Sequence, residues 1–210
     1  MSEQESGEEK PVGLMWHAME EFRWRMVYRG YRKRYEIHPS FRFNGPGIRI
    51  YDSGRVILGE GSYIGRYSSI QSGKGCKVVV GRNCSVSHFV MMYTQNRDPD
   101  QDFSKACADV KGDIVIGDHC WVGARVFINH GVEIGENSVV GANSVATRSL
   151  PPHSISAGTP AKVIKFKSYL DEASMLGLAR RYEKSIDDRL RRSLEEKHPG
   201  LFSKNAATVE

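Results

Sequence analysis

An aliphatic side chain returns every six residues through the middle of this 210-residue chain: at Leu58, Ile64 and Ile70, at Val80, Val86 and Met92, and at Ile116, Val122, Ile128, Ile134 and Val140. Glycine directly follows seven of them. A small or β-branched residue (Ser62, Ser68, Cys84, Val90, Cys120, Val126, Val132, Ser138, Ser144) comes four positions after nine of them. A six-residue unit is too short for a helical repeat. Its β-branched content and turn-prone centres (Arg82-Asn83, Asp118-His119, Glu136-Asn137) describe a short strand followed by a corner. Such a unit cannot bury its own apolar side, but coils stacked about 4.8 Å apart pair their backbones as parallel sheet and gather the aliphatics in one interior column. Ordinary β-sandwiches space their turns irregularly, at roughly 8 to 12 residues. The expected fold is therefore an all-β solenoid. Glycine usage agrees, because sixteen of the 21 glycines fall between Gly45 and Gly158, where regular turns are needed.

The rhythm breaks between Met92 and Ile116. Residues 94–112, including Gln95-Asn96-Arg97-Asp98-Pro99-Asp100, are polar and unpatterned, which predicts an excursion loop. A ten-residue step from Ile70 to Val80 predicts a solvent-exposed corner insertion at Ser72-Gly73-Lys74-Gly75. Upstream, residues 14–35 read as a basic amphipathic helix. Met15, Met19, Phe22 and Met26 form its apolar stripe, and six basic against two acidic side chains give it +4. It is expected to cover the open end of the solenoid, where unpaired backbone needs a partner; contact with an anionic membrane surface is the other use of such a helix. Pro151-Pro152 ends the repeat, and a last strand runs through Ile164. Residues 167–198 read as one C-terminal helix whose stripe (Leu170, Met175, Leu178, Tyr182, Ile186) packs against the prism or across a subunit contact. The expected organisation is a disordered tail (1–13), an N-terminal helix and cap (14–54), the β-helix domain (55–166), the C-terminal helix (167–198) and a tail (199–210).

Apolar residues at 40% and charged residues at 26% fit one globular domain rather than a disordered or fibrous chain. No stretch approaches 18 consecutive apolar residues, and the first thirteen residues carry four Glu and one Lys, unlike a secretory leader, so a cytoplasmic location is expected. Four cysteines without a CxxC pair fit reduced thiols, not structural zinc. A net charge of +5 does not demand a nucleic-acid partner.

Two motifs stand out beside the rhythm: Ile116-Gly117-Asp118-His119-Cys120-Trp121-Val122-Gly123 and Gly158-Thr159-Pro160-Ala161-Lys162-Val163-Ile164. With them, residues 55–166 resemble the hexapeptide-repeat acyltransferases, in the sugar O-acetyltransferase branch that includes galactoside and maltose acetyltransferases. The resemblance implies a left-handed parallel β-helix, a homotrimer, and acetyl-CoA held in a groove between subunits. Carried over by position, the cofactor contacts fall on Trp121, Gly123, Ala124, Ala142, Thr147, Arg148 and Lys165. Small side chains at Ala124 and Ala142 let an extended chain lie against the coil, and Arg148 and Lys165 can meet phosphates. The acceptor loop would be Asn96, Arg97 and Asp98, with main-chain N–H groups near Trp121 and Gly123 as oxyanion donors. The family's basic histidine falls in this loop, where this chain has Arg97. An arginine cannot take a proton at neutral pH, although it can hold an anionic acceptor.

Seven histidines remain as sources of a base. His17, His38, His119, His153 and His198 read as structural or exposed. His88, two residues after an inward aliphatic on the coil entering the excursion loop, is expected to be the catalytic base. His130 is expected to be a corner histidine bonded to a neighbouring coil. No two histidines stand five apart, the spacing seen in the metal-binding γ-type carbonic anhydrases, so no metal is expected. Cys84 and Cys120 occupy the small inward position and read as core.

The expected activity is transfer of acetyl from coenzyme A to a hydroxyl of a sugar or polysaccharide precursor. Two other readings stay open: N-acetylation of a nucleotide-linked amino sugar, and a non-catalytic scaffold at a membrane surface.

Overall fold

The computed structural model describes residues 11–203; of the tails expected at 1–13 and 199–210, residues 1–10 and 204–210 lie outside them, whereas residues 11–13 already belong to a helix and Leu201 is buried in a C-terminal apolar cluster. The chain winds into a three-faced parallel β-solenoid. Face one stacks Glu36–Ile37, Arg55–Leu58, Lys77–Val80, Ile114–Ile116 and Glu133–Ile134. Face two stacks Arg42–Asn44, Tyr63–Gly65, Ser85–Val86, Trp121–Val122 and Val139–Val140, and ends in the antiparallel pair Ser154–Gly158 and Ala161–Phe166. Face three stacks Arg49–Tyr51, Ser69–Gln71, Met91–Tyr93, Phe127–Ile128 and Val145–Ala146.

Each face aligns the predicted hexads: Leu58 with Val80, Ile116 and Ile134; Ile64 with Val86, Val122 and Val140; Ile70 with Met92 and Ile128. All eleven periodic aliphatics are at most 1% exposed, and the nine small residues at most 2%, so one column of side chains forms the core. Glycine after the aliphatic is a matter of clearance. A Cβ on Gly123 would stand 2.6 Å from the Ala142 nitrogen of the next coil, and one on Gly65 would stand 2.4 Å from His88 Nδ1.

The solenoid begins earlier than the predicted boundary at residue 55. Residues 36–51 already form its first coil, with Phe41, Ile48 and Ile50 buried. That coil lacks the glycine after its aliphatics, so it hid from the rhythm. At the insertion, Ser72 and Gly73 are buried while Lys74 and Gly75 are exposed, so the predicted surface turn is half interior.

The N-terminal helix, α1 (Pro11–Arg34), covers the open end as expected, but with the opposite stripe. Met15, Met19, Phe22 and Met26 are 49–64% exposed, whereas Tyr28, Tyr31 and Tyr35 pack on the core. The open coil explains this choice, because its edge presents backbone groups that thioether and phenyl side chains cannot satisfy. The Tyr28 hydroxyl donates to Gly45 O (2.7 Å) and accepts from Ile48 N (3.3 Å), the Tyr31 hydroxyl accepts from Ile50 N (3.1 Å), and Arg32 donates to the His38 and Phe41 carbonyls. Among the described residues no helix is long and apolar enough to cross a membrane.

The single helix predicted at 167–198 is two: α2 (Glu172–Arg181) and α3 (Asp188–Lys197), capped by Asp171 and Asp187. Between them the chain dips to the prism. Ile186 is buried and bridges to Val163, and the Ser185 hydroxyl donates to Ser149 O (2.7 Å). This second cluster (Val163, Phe166, Ala179, Ile186, Leu194, Leu201) closes the C-terminal end. The excursion is pinned at its base by antiparallel pairing of Gln95–Arg97 with Asp109–Lys111 and by Gly112 N–H donating to Thr94 O (2.9 Å).

Candidate active site

The edge between faces two and three is a ladder of left-handed corners: Tyr67, Phe89, Arg125 and Asn143, all with φ between +56° and +58°. Such backbone disfavours residues with a Cβ. Here each N–H is satisfied from the coil above: Tyr67 by Pro46 O, Phe89 by Arg66 O, Arg125 by His88 O and Asn143 by Ala124 O, at 2.8–3.0 Å. The Tyr67 and Phe89 rings stack at 5.4 Å, and the Arg125 guanidinium lies 6.0 Å from the Phe89 ring.

His88 is exposed on this ladder, and its Nδ1 accepts the Arg66 main-chain N–H at 3.1 Å. The neutral ring therefore carries its proton on Nε2, so the nitrogen facing outward is a donor. This geometry works against the expected role as base.

Two of the expected cofactor positions, Ala124 and Ala142, lie on the same edge in successive coils, Ala124 half-buried and Ala142 exposed. Gly123 is buried beneath them. Trp121 is 56% exposed on face two, in one cross-strand row with Ser85, Val139, Ile155 and the exposed Lys165. Thr147 and Arg148 are exposed on a different edge, between faces three and one, where Arg148 Nη1 donates to Lys184 O (3.3 Å). The oxyanion donors expected near Trp121 and Gly123 are already committed: their N–H groups bond Ser138 O and Val140 O of the next coil (2.9 and 2.8 Å). Between them and Arg125, the Ala124 N–H makes no hydrogen bond among the described residues.

The acceptor loop is also on the three-to-one edge. Asn96 Nδ2 donates to Asn129 Oδ1 (2.5 Å), Asp98 Oδ1 turns the loop by accepting Asp100 N–H (3.0 Å), and Arg97 is exposed. Within one chain, then, His88 and Asn96-Arg97-Asp98 do not meet; the strand Met91–Tyr93, about 10 Å long, separates their edges.

His130 reverses its expected role. It is half-buried, and its ring makes no hydrogen bond among the described residues. Asn129 on one side anchors Asn96. Gly131 on the other is pressed so close to the loop's end that a Cβ on Gly112 would stand 2.6 Å from its nitrogen. Asn129 N–H donates to Ala146 O (3.0 Å), beside Thr147 and Arg148. His130 thus stands, in the stacking order, between the loop that follows Met92 and two of the expected cofactor positions, Thr147 and Arg148. The signal for it was the pairing register: Met92 beside Ile128 places Asn129-His130 against the loop that follows Met92.

The hydrogen bond with the Cys120 thiol lowers the Cys84 pKa and burial opposes it, but both cysteines lie in the core, out of reach of a substrate. The Cys84 thiol and burial push Cys120 well above the usual thiol range.

Residues 113–148 match the model of the bacterial transferase hexapeptide family (six repeats). The chain is 33% identical over 108 residues to the galactoside O-acetyltransferase of Escherichia coli K12, covering 47% of this chain and 53% of that enzyme. It spans about half the length of the curated relatives it matches, or less. Among solved structures, the maltose O-acetyltransferase from Clostridium difficile 630 superposes with a TM-score of 0.58 at 27% identity, over 65% of this chain and 72% of that one. A galactoside acetyltransferase in complex with coenzyme A superposes at 0.52 and 26%, over 63% and 70%. With the hexads aligned in register on all three faces, residues 113–148 match the hexapeptide model and the solenoid is similar to those of the galactoside and maltose O-acetyltransferases.

Proposed function

We propose that this chain is a cytoplasmic coenzyme A-dependent acetyltransferase that modifies a hydroxyl of a sugar or glycan precursor, working as a homotrimer. The observation that carries the reading is the ladder edge. Small residues at Ala124 and Ala142, tied coil to coil, leave a smooth channel, with Trp121 and the cation Lys165 on the adjoining face. A galactoside acetyltransferase solved with coenzyme A has a similar fold. Ala124, Ala142, Trp121 and Lys165 from one subunit, with Thr147 and Arg148 from the next, would hold acetyl-CoA. The division of these positions between two edges supports a trimer, since a groove lined by both edges needs two chains.

Acetyl-CoA, when bound, supplies the acetyl carbonyl; the acceptor oxygen forms the new C–O bond, the C–S bond breaks, and CoA leaves as the thiol. This chain's residues handle the proton and the charge. His130, whose ring nitrogens make no hydrogen bond among the described residues, takes the hydroxyl proton and passes it to the departing sulfur. From the adjoining subunit's two-to-three edge, the Ala124 N–H and the His88 Nε2–H donate to the oxygen where negative charge develops. Since His88 is held as a donor, a nucleotide-linked amine acceptor is the second reading: an amine needs a weaker base than a hydroxyl.

The exposed stripe of α1 favours a further contact. Met15, Met19, Phe22 and Met26 share one side, Arg23 and Arg29 flank it, and Glu20 and Glu21 fall elsewhere on the helix. Two such stripes would bring arginines together, whereas an anionic lipid surface supplies the counter-charge.

Calorimetry with acetyl-CoA tests the core reading. The wild-type trimer should bind, and Arg148→Glu should bind at least tenfold more weakly. A folded protein with no affinity for acetyl-CoA would leave the scaffold reading in its place.

A further inference from the structure

A cleft of about 740 Å³ opens where α1 crosses the ladder edge. One wall is aromatic: Trp24, Tyr28 and Phe43 stack in series, with centroids 5.7 and 4.4 Å apart. The other features are guanidinium groups. Arg25 and Arg29 reach in from α1 and Arg66 from the prism, and among the described residues none of the three takes part in an ion pair. Arg29 touches only the Met26 sulfur (4.0 Å). Arg32, also on the cleft, is occupied by the His38 and Phe41 carbonyls. Glu20, Glu21 and His17, one to three turns earlier on α1, line the cleft's far end and leave the Arg29–Arg66 end uncompensated.

Position gives this charge a meaning. Arg66 is the residue whose N–H holds His88, and the His88 carbonyl in turn holds the Arg125 N–H beside Ala124. Arg66 therefore stands two coil steps, roughly 10 Å, from the channel assigned to the thioester arm. That is the span of one hexose carrying a phosphate.

We infer that this cleft seats the phosphate of a phosphorylated acceptor sugar, with Arg25, Arg29 and Arg66 as its ligands and the Trp24–Tyr28–Phe43 wall as the surface for the apolar side of a sugar or base. Guanidinium groups match phosphate oxygens in pairs, and three of them around an open, aromatic-walled cleft leave a neutral galactoside or maltoside no use for the charge. The inference rests on the acetyltransferase reading and narrows its acceptor to an anionic one.

The test titrates the full-length protein with glucose 1-phosphate, UDP-glucose, galacturonate and methyl glucoside, following Trp24 fluorescence and heat, and titrates acetyl-CoA separately. The two phosphorylated probes should bind and the other two should not. Arg66→Gln and Arg29→Gln should each weaken the phosphorylated probes at least tenfold, Arg66→Lys should weaken them less, and acetyl-CoA affinity should stay within twofold in all three. Both substituted positions are exposed, and circular dichroism checks that each variant is folded. Equal binding of methyl glucoside, or galacturonate matching the phosphates, overturns the inference. So does a parallel loss of acetyl-CoA affinity, which would assign the cleft to the phosphates of coenzyme A itself. Wild-type protein that binds phosphorylated sugars yet never binds acetyl-CoA would instead refute the acetyltransferase reading.

Discussion

The main-chain N–H of Arg66 points at Nδ1 of His88 across 3.1 Å, two residues on adjacent coils and 22 apart in sequence. One hydrogen bond settles which ring nitrogen carries the proton, and so what His88 offers a substrate.

The two histidines should separate in kinetics. His130→Gln is expected to lower kcat about 100-fold or more, the usual worth of a general base, with KM for acetyl-CoA little changed. His88→Asn, whose side-chain oxygen can still accept the Arg66 N–H while its amide N–H still donates, should cost about tenfold, less than the roughly 100-fold of losing an oxyanion donor outright. Nitrogen-15 NMR of the resting protein should find His88 in the Nε2–H tautomer. A full loss of activity in His88→Asn alongside an active His130→Gln would reverse the assignment.

The channel should be closable without unfolding the protein. Ala142 is exposed and packs against nothing in the core, so Ala142→Trp should leave the melting temperature within about 2 °C. The same change should raise KM for acetyl-CoA at least tenfold. Unchanged saturation kinetics would put the thioester arm elsewhere.

Tyr28 ties the cap to the first coil through two hydrogen bonds, and burial pushes its phenol up to about 12. A group raised in the folded state gives stability that is complete below the unfolded value, near 10, and is lost as pH rises through the folded one. Wild-type unfolding midpoints should therefore drop between pH 10 and 12, and Tyr28→Phe should flatten that drop. At pH 7 the same variant should lose about 1–2 kcal/mol, since the Ile48 N–H and the Gly45 carbonyl lose their partner.

Asp118 links coils 36 residues apart: Oδ1 accepts the Arg82 N–H and Oδ2 its guanidinium, both at 2.7 Å. The Arg82 N–H, and then its side chain, hold this carboxyl below the usual carboxylate range. Its contribution is present above the unfolded value, near 3.9, and disappears as pH falls through the lower folded one. Asp118→Asn should cost about 1 kcal/mol at pH 7 by thermal denaturation, and the cost should shrink as the pH falls below about 4.

The outward stripe of α1 predicts co-sedimentation with phosphatidylglycerol vesicles and none with phosphatidylcholine. Phe22→Glu should abolish the first without altering acetyl transfer to a soluble acceptor. Light scattering that instead reports a higher oligomer reduced to trimers by Phe22→Glu would assign the stripe to a second copy of the chain.

The core was readable before any coordinates because a stacked coil repeats its demands: each hexad needs an inward aliphatic, a close-approach glycine and a small corner residue at the same places. Where that demand relaxes, the pattern fell silent, as in the first coil, whose Phe41 and Ile48 are buried without the accompanying glycine. The ladder edge was silent for another reason. Tyr67, Phe89 and Arg125 are poor turn formers, and only the hydrogen bonds from the coil above make left-handed backbone tenable there.

By itself the sequence determined the solenoid, its excursion loop and the small-residue track along one edge, since all three follow from local spacing. The tertiary structure alone decided which stripe of α1 faces the prism, which histidine ring is tied to a neighbouring coil, and which edges carry the excursion loop and the small-residue track. These depend on partners 20 to 33 residues away, brought together by coil stacking, and no local pattern records where a distant N–H will point.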